Sequence, residues 1–222
     1  MRDRPPTKAR LIAAASALFA ERGFHGTKMR DIAGRGVVNV AAGHYHYGSK
    51  KALYVEVLRT QFAEIRALLA RRGASRPAAA LARMTRPQLA VLLRARIQAM
   101  LDLLIGPPPG LHGTLMQREM CDPSEALPVI VDEFIRPMMR DMTAIVSRLA
   151  PGLGRKALER CVLGIVGQVL FYRFTMPVTL RLWDVPTYPP GLARELAAHI
   201  TEFSLGGMAR LAPARRQRRH AG

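Results

Sequence analysis

Residues 27–53, TKMRDIAGRGVVNVAAGHYHYGSKKAL, decide the fold class of this chain. Met29, Ile32 and Ala33 follow the i, i+3, i+4 spacing of an amphipathic helix, and Thr27 is a residue type that caps such a helix at its N-terminus. Gly36 interrupts the pattern. The segment is therefore predicted to begin with a short helix that ends at a tight turn.

A second short helix follows this turn. Asn39 is suited to cap it, residues 40–47 form its body, and Ser49 caps a longer helix that begins at Lys50. Two short helices joined by a turn of about three to four residues form a helix-turn-helix, whose second helix can enter the major groove of DNA. The sequence therefore predicts a DNA-binding unit.

Composition limits the partners of this unit. The 222 residues are 49% hydrophobic, which excludes a disordered chain. The 34 Lys and Arg exceed the 16 Asp and Glu, and the formal net charge is +18. Such an excess favours a polyanionic partner, either nucleic acid or an acidic membrane surface.

Cysteine usage and hydropathy bear on the cellular compartment. Cys121 and Cys161 lie in apolar helical contexts without the spacing of a metal site, which indicates buried thiols in a reducing compartment. The apolar run 161–172 is too short to cross a bilayer. We therefore expect a soluble cytoplasmic protein that has no membrane insertion, no cofactor and no metal.

Helical patterns occupy the rest of the chain, and strand patterns are nearly absent. Beyond the two short helices, we predict helices over 7–22, 50–72, 88–105, 112–121, 124–150, 155–175 and 190–211. Pro137 should kink the helix over 124–150. The Pro-rich run 106–110 marks a sharp break.

The predicted domains follow from this order. Residues 1–50, with the start of the next helix to about 65, form the DNA-binding domain, and residues 66–211 form a ligand-binding and dimerisation domain. Residues 212–222 form a basic, disordered tail. The last two predicted helices are apolar on more than one face, and Gly164 and Gly167 permit close helix approach. This pattern favours a homodimer interface over the alternative of packing within the chain.

The second helix of the helix-turn-helix has a small reading surface. Ala41 and Ala42 can contact thymine methyl groups but cannot make a bidentate contact with a base. Arg30 is the best candidate for a base or groove contact, while Tyr45 and His46 either grip phosphates or pack between helices. The predicted DNA-binding residues are Thr27, Lys28, Arg30, Asn39, Val40, Ala41, Ala42, His44, Tyr45, His46 and Lys50.

Methionines and isolated polar residues in the C-terminal half suggest a sensing site. Methionine is flexible and polarizable, so a Met-rich core can adapt to varied apolar ligands, although for any single Met the pattern favours a core filler. Glu119 could orient a ligand or form a structural network with Arg118. The predicted ligand-binding residues are Met100, Met116, Glu119, Met120, Met138, Met142, Gln168, Phe171 and Tyr172.

Several of these segments resemble the TetR family of bacterial transcriptional regulators. The resemblance rests on ARLIAAASALFAERGF (9–24), MRDIA (29–33) and HYHYGSKKALY (44–54), in that order and spacing. VNVAAGHYHYGSK (38–50), QREMCDPSEAL (117–127), Pro137 and GQVLFYRF (167–174) are similar to the CecR-like branch.

The resemblance implies an all-α fold of about nine helices. It would comprise an N-terminal three-helix helix-turn-helix domain and a C-terminal helical domain for ligand binding and dimerisation. It also implies a repressor that binds a palindromic double-stranded DNA operator as a homodimer through its last two helices. A small, largely apolar effector would release it from the operator.

Two departures from the family pattern affect the helix-turn-helix. The family usually has Ala-Gly-Val in the turn, where this chain has Gly36-Val37-Val38, so Val37 would be strained if its position needs φ > 0. Gly43 replaces a bulky apolar residue and weakens the second helix by about 1 kcal/mol relative to alanine. We therefore expect DNA binding that relies on phosphate contacts, DNA shape and positive charge.

The sequence bears on two rival functions, an enzyme and a non-specific polyanion-binding protein. An enzyme is not expected, because the sequence has no Gly-rich phosphate loop, nucleophile elbow or HExxH motif. A non-specific polyanion-binding protein, directed at RNA or an acidic membrane surface, is the alternative, because the Arg-rich residues 215–219 could bind any polyanion.

Overall fold

The computed structural model describes residues 5–106 and 111–211, and all its regular elements are helical. The helices are α1 (Thr7–Arg22), α2 (Met29–Arg35), α3 (Val40–Tyr47), α4 (Lys50–Arg71), α5 (Ala78–Ala82), α6 (Arg86–Ile105), α7 (Leu111–Cys121), α8 (Leu127–Ile130), α9 (Arg136–Leu149), α10 (Arg155–Phe174), α11 (Met176–Leu182) and α12 (Leu192–Leu211). A π-helical turn, Val131–Ile135, joins α8 to α9 without a break. With 127–149 counted once, the described residues form eleven helices.

The predicted all-α fold class is confirmed, and each of the nine predicted helices is present. Two short helices were not predicted. α5 has only five residues and follows Pro77, and α11 is separated from α10 by Thr175 alone, so neither leaves a distinct periodic signal. Residues 107–110 of the break predicted over 106–110, and the predicted tail 212–222, lie outside the described residues.

The chain divides into two compact units. The first comprises Met1–Arg71 and Asp102–Met138, and the second comprises Arg72–Leu101 and Met139–Gly222. By packing, residues 102–138 therefore belong with the N-terminal helices, although the predicted domain boundary near residue 65 placed them with the C-terminal domain. The functional division into DNA-binding and ligand-binding parts stays a prediction.

Aromatic side chains fill the centre of the first unit. Phe19 on α1 and Tyr54 on α4 are almost fully buried, with ring centroids 4.6 Å apart in an edge-to-face arrangement. Phe24 lies 5.1 Å from the Tyr54 ring. Edge-to-face pairs add to the gain from apolar burial, so these rings hold α1 against α4.

A buried carboxylate connects α7 to this aromatic centre. Glu119 is 1% exposed, and its Oε2 accepts a hydrogen bond of 2.9 Å from the Tyr54 hydroxyl. Its Oε1 accepts from the backbone N–H and the Oγ of Ser124, both at 2.8 Å. A buried charge requires such donors, because a bare carboxylate is strongly disfavoured there. Burial, followed by the charge of Glu119 and its hydrogen bond, raises the pKa of Tyr54.

Arg118, the residue before Glu119, anchors α7 to α1. Its Nε donates to the carbonyl of Ala20 at 2.7 Å, and its Nη2 donates to the carbonyl of Glu21 at 2.6 Å. These carbonyls end α1 and have no partner within the helix, so a guanidinium is well suited to cap them. Glu119 and Arg118 therefore form the structural and capping network that the sequence left as an alternative, and the ligand-orienting role of Glu119 stays a prediction.

In the second unit, buried Leu93, Ile97, Met142 and Ile145 contribute to the core. The side chain of Arg96 is 4% exposed, and its Nη2 donates to the Asp141 carboxylate at 2.9 Å. The charge is thus paired where it is desolvated.

No single helix within the two described ranges has both the length and the apolar composition to cross a membrane. α10 and α11 reach that composition only as a pair, and their axes differ by 73°.

The turn between α2 and α3 contains a strained residue. Val37 has φ of +51° and is 67% exposed, whereas Gly36 has an ordinary φ of −76°. A β-branched residue at positive φ is a steric outlier. Glycine is favoured at position 36 because the site is crowded. A Cβ added there would lie 3.3 Å from the carbonyl oxygen of Ile32 and 3.4 Å from that of Arg10.

Val37→Gly should raise the free energy of unfolding by about 0.5–1 kcal/mol. Relief of about 1–2 kcal/mol of strain exceeds the conformational entropy that glycine loses on folding. Urea denaturation measures this. Val38→Gly is the matched control and should destabilise, because Val38 packs against the core of the first unit. A lower stability for Val37→Gly would mean that this position is not strained.

Tyr54→Phe should lower the free energy of unfolding by about 1–3 kcal/mol, because it leaves Glu119 without one donor. The pKa of Tyr54 is raised in the folded state, so its contribution is complete below about pH 10 and is lost as the pH rises further. Part of the alkaline destabilisation of the wild type should therefore disappear in Tyr54→Phe. Denaturation at pH 7 and pH 11 tests both effects, and Tyr45→Phe at an 86% exposed residue should change neither.

Candidate nucleic-acid interface

The helix-turn-helix consists of α2, the turn and α3. Asn39 caps α3 as predicted, since its Oδ1 accepts a hydrogen bond of 2.9 Å from the N–H of Ala41. Ser49 caps α4 as predicted, since its Oγ accepts one of 3.1 Å from the N–H of Ala52. Arg10 on α1 closes the turn by donating to the carbonyl of Val37 at 3.0 Å. The Asn39 cap and the turn thus fix where α3 begins, and the Ser49 cap fixes where α4 begins.

Most predicted DNA-binding residues are accessible. The exposed ones are Lys28, Arg30, Asn39, Val40, Ala41, His44, Tyr45 and His46, and Ala42 is half-buried. Tyr45 is 86% exposed, so the alternative in which it packs between helices is excluded, as it is for the exposed His46. Tyr47 has that packing role instead, because it packs against the core of the first unit.

Thr27 and Lys50 do not fit their predicted roles. Thr27 is fully buried, and its hydroxyl donates to the carbonyls of Leu18 at 3.2 Å and Gly23 at 2.7 Å. Lys28, not Thr27, is the N-cap of α2. The ammonium of Lys50 donates to the carbonyl of Phe24 at 2.9 Å and lies 4.1 Å from the centre of that ring, so it is engaged within the unit. The side chains of Thr27 and Lys50 therefore make hydrogen bonds within the first unit.

Gly43 allows a close contact that the sequence alone did not reveal. It is buried, and a Cβ added to it would lie 2.9 Å from Cε of Met29 on α2. Met29 thus occupies the space that a larger residue at position 43 would fill. Methionine is suited to such a gap because its side chain is unbranched and flexible.

Gly43→Leu should destabilise the protein on its own, and so should Met29→Ala. Combined, they should restore about 1 kcal/mol or more of the summed loss, because each relieves the misfit of the other. A double-mutant cycle in urea measures this coupling. Gly34→Leu with Met29→Ala is the matched control and should be additive, since nothing lies within 4 Å of a Cβ at Gly34. Additivity in both cycles would contradict the proposed contact.

The predicted ligand-binding residues are divided between the two compact units. Met116, Glu119, Met120 and Met138 belong to the first unit, and Met100, Met142, Gln168, Phe171 and Tyr172 belong to the second.

Gln168 contacts protein rather than an open site. Its amide donates to the carbonyl of Gly164 at 3.3 Å and to Oγ of Ser204 at 3.5 Å, which links α10 to α12. Phe171 is 54% exposed and Met120 is 38% exposed. Gln168 therefore has partners within the protein, Phe171 and Met120 are exposed, and the ligand contacts predicted for these three residues stay predictions.

An open depression of about 450 Å³ lies elsewhere in the second unit. It is lined by Pro177, Leu180, Arg181, Asp184, Val185 and Pro186, and none of the predicted ligand-binding residues is among them. The half-buried Met100, Met116, Met138 and Tyr172 and the buried Met142 stay predictions as ligand contacts.

A capped helix-turn-helix followed by a helical C-terminal part defines the class of helix-turn-helix transcriptional regulators. Residues 11–57 match the family described as bacterial regulatory proteins, tetR family. Residues 89–208 match the C-terminal domain of the HTH-type transcriptional dual regulator CecR. No curated protein matches the sequence significantly.

Solved structures share the fold at low sequence identity. A candidate transcriptional regulator from Pseudomonas aeruginosa PAO1 is 20% identical, with a TM-score of 0.68 over 92% of this chain and 93% of that one. A tetR-family regulatory protein from Rhodococcus RHA1 is 21% identical, with a TM-score of 0.63 over 94% and 98%. FadR from Bacillus subtilis, in complex with stearoyl-CoA, is 16% identical, with a TM-score of 0.63 over 90% and 98%.

The chain belongs to the TetR family, in its CecR-like branch, as the sequence predicted. It is therefore a DNA-binding regulator of transcription and not an enzyme.

Proposed function

We propose that this regulator is a ligand-responsive repressor that binds a palindromic operator as a homodimer and is released by a small, largely apolar effector. The observation that carries the proposal is the outward surface of α3, where Val40, Ala41 and the residues 44–46 are exposed. Lys28 and Arg30 are exposed at the start of α2. This combination supports phosphate contacts around a groove-reading helix. A regulator of transcription acts where the DNA is, so the predicted cytoplasmic location is part of the proposal.

Exposed apolar residues on α10 and α12 support the homodimer. Leu163 and Phe171 on α10 are 59% and 54% exposed, and Phe203 on α12 is 66% exposed. Cβ atoms added at Gly164 and Gly167 on α10, or at Gly206 and Gly207 on α12, would meet nothing within 4 Å. Exposed apolar side chains beside small residues favour close packing with another helix pair. A C2 dimer would match the two-fold symmetry of a palindromic operator.

The effector class is supported by composition. The predicted contacts that are half-buried or buried include four methionines and a tyrosine, which suit an apolar ligand with a polar group. FadR from Bacillus subtilis holds stearoyl-CoA within the same fold. An effector would act by binding one dimer geometry more tightly than the other, which changes the spacing of the two α3 helices.

Binding to DNA from the region upstream of the protein's own coding sequence tests the proposal. At ~150 mM salt, the wild type should retard one fragment in preference to unrelated DNA of equal length. Arg30→Ala should weaken this binding by about tenfold. Arg35→Ala is the matched control on the same helix and should have less effect, because Arg35 is bound to Glu21 at 2.6 Å.

Three results would count against the proposal. Equal retardation of all fragments that vanishes with salt would favour the polyanion-binding alternative. A monomeric mass in sedimentation at the concentrations that bind DNA would exclude the homodimer. Equal losses for Arg30→Ala and Arg35→Ala would exclude a specific role for the start of α2.

A further inference from the structure

Pro137 marks an irregularity in the helical run 127–149. In a regular α-helix the proline ring would clash with the carbonyl of Glu133, and that carbonyl would lose its partner because proline has no N–H. The structure instead has the π-helical turn Val131–Ile135 directly before Pro137, where the N–H of Arg136 donates to the carbonyl of Val131, five residues earlier. The helix thus has a wider turn before Pro137, a feature often found at functional sites, while the kink predicted at Pro137 stays a prediction.

This turn presents two adjacent side chains to α4. The carboxylate of Glu133 accepts a bidentate pair of hydrogen bonds from Arg59, 2.9 Å from Nε and 2.6 Å from Nη2. The ring of Phe134 stacks on that of Phe62, with centroids 3.9 Å apart and planes 5° from parallel. All four residues belong to the first unit.

The ion pair between Arg59 and Glu133 contributes more to the orientation of α4 than to the free energy of unfolding. Arg59 and Glu133 are 52% and 43% exposed, and exposed ion pairs contribute little to stability. The bidentate contact nevertheless restricts the relative orientation of the two side chains, because both guanidinium donors must align with both carboxylate oxygens. The hydrogen bonds from Arg59 lower the pKa of Glu133, so the pair stays charged at neutral pH. Arg59 and Phe62 are three residues apart and therefore lie on one face of α4.

The position of α4 affects the interface, because only Gly48 and Ser49 separate α4 from α3. Two contacts on one face of α4, one directional and one stacked, restrict rotation of the helix about its own axis. Tyr54, which donates to Glu119, adds a third fixed point on the same helix.

We propose that the π-helical turn is a positioning element for DNA binding: it places Glu133 and Phe134 against Arg59 and Phe62 and so sets the orientation of α4 and of the α3 helix before it. Glu133 and Arg59 are positioning residues and do not touch DNA. The inference rests on the proposed specific binding of an operator.

Glu133→Gln separates positioning from electrostatics. It removes one negative charge, so simple electrostatics predicts tighter binding to any DNA. Positioning predicts that binding to the upstream fragment weakens by about fivefold, while affinity for unrelated DNA is unchanged or slightly higher. Glu64→Gln removes the same charge from an exposed residue of α4 and is the matched control, which should not weaken specific binding. The charge-swapped pair Arg59→Glu with Glu133→Arg should return specific binding to within about twofold of wild type, since the ion pair is restored.

If Glu133→Gln behaves like Glu64→Gln, or if the charge swap fails to restore binding in a folded protein, the inference is overturned. If the wild type binds no fragment specifically, the proposed function fails instead. Hydrogen exchange of the α4 amides in the free protein still tests the inference then. Faster exchange around residues 59–66 in Glu133→Gln than in Glu64→Gln supports positioning, and equal exchange overturns it.

Discussion

The first unit depends on the buried carboxylate of Glu119. A charge that is 1% exposed is stable only where donors surround it, and these donors come from Tyr54 on α4 and from Ser124 after α7. The requirement fixes α7 against α4, while Arg118 fixes α7 against the end of α1. The segment that forms α7 and the turn after it therefore belongs structurally to the first unit, although it is distant in sequence from α1 to α4.

Much of the fold could be predicted because its signals are local. The spacing around Met29 and the caps at Asn39 and Ser49 depend on neighbouring residues only, and the structure retains them. The prediction that Thr27 caps α2 was wrong because it, too, used only local signals. It is a good N-cap type, but its hydroxyl bonds to the carbonyls of Leu18 and Gly23 in the core, and no local rule distinguishes those two uses.

The interface was less predictable because it depends on distant partners. The commitment of Lys50 to the Phe24 carbonyl is a tertiary contact that spacing alone does not encode. The contact between Met29 and Gly43 joins α2 to α3, so it depends on tertiary structure. From the sequence alone, glycine at position 43 predicts only a less stable helix, whereas the structure shows that its small size leaves space for Met29. The strain at Val37 was accessible to sequence reasoning, since this chain has valine where the family usually has glycine, and the structure gives that residue a positive φ.

These features bear on how so basic a regulator can be selective. A net charge of +18 supplies affinity for any DNA, and affinity of that kind contains no sequence information. The exposed reading residues of α3 include Val40 and Ala41, which cannot form bidentate contacts with bases. Selectivity for an operator sequence then depends on the position of α3, which must allow its few base contacts and also match the shape of the groove. A strained turn at Val37, a methionine against Gly43 and a π-helical turn against α4 all act on that placement. The family departures in this helix-turn-helix are thus better explained as a change in how α3 is supported than as a loss of DNA binding.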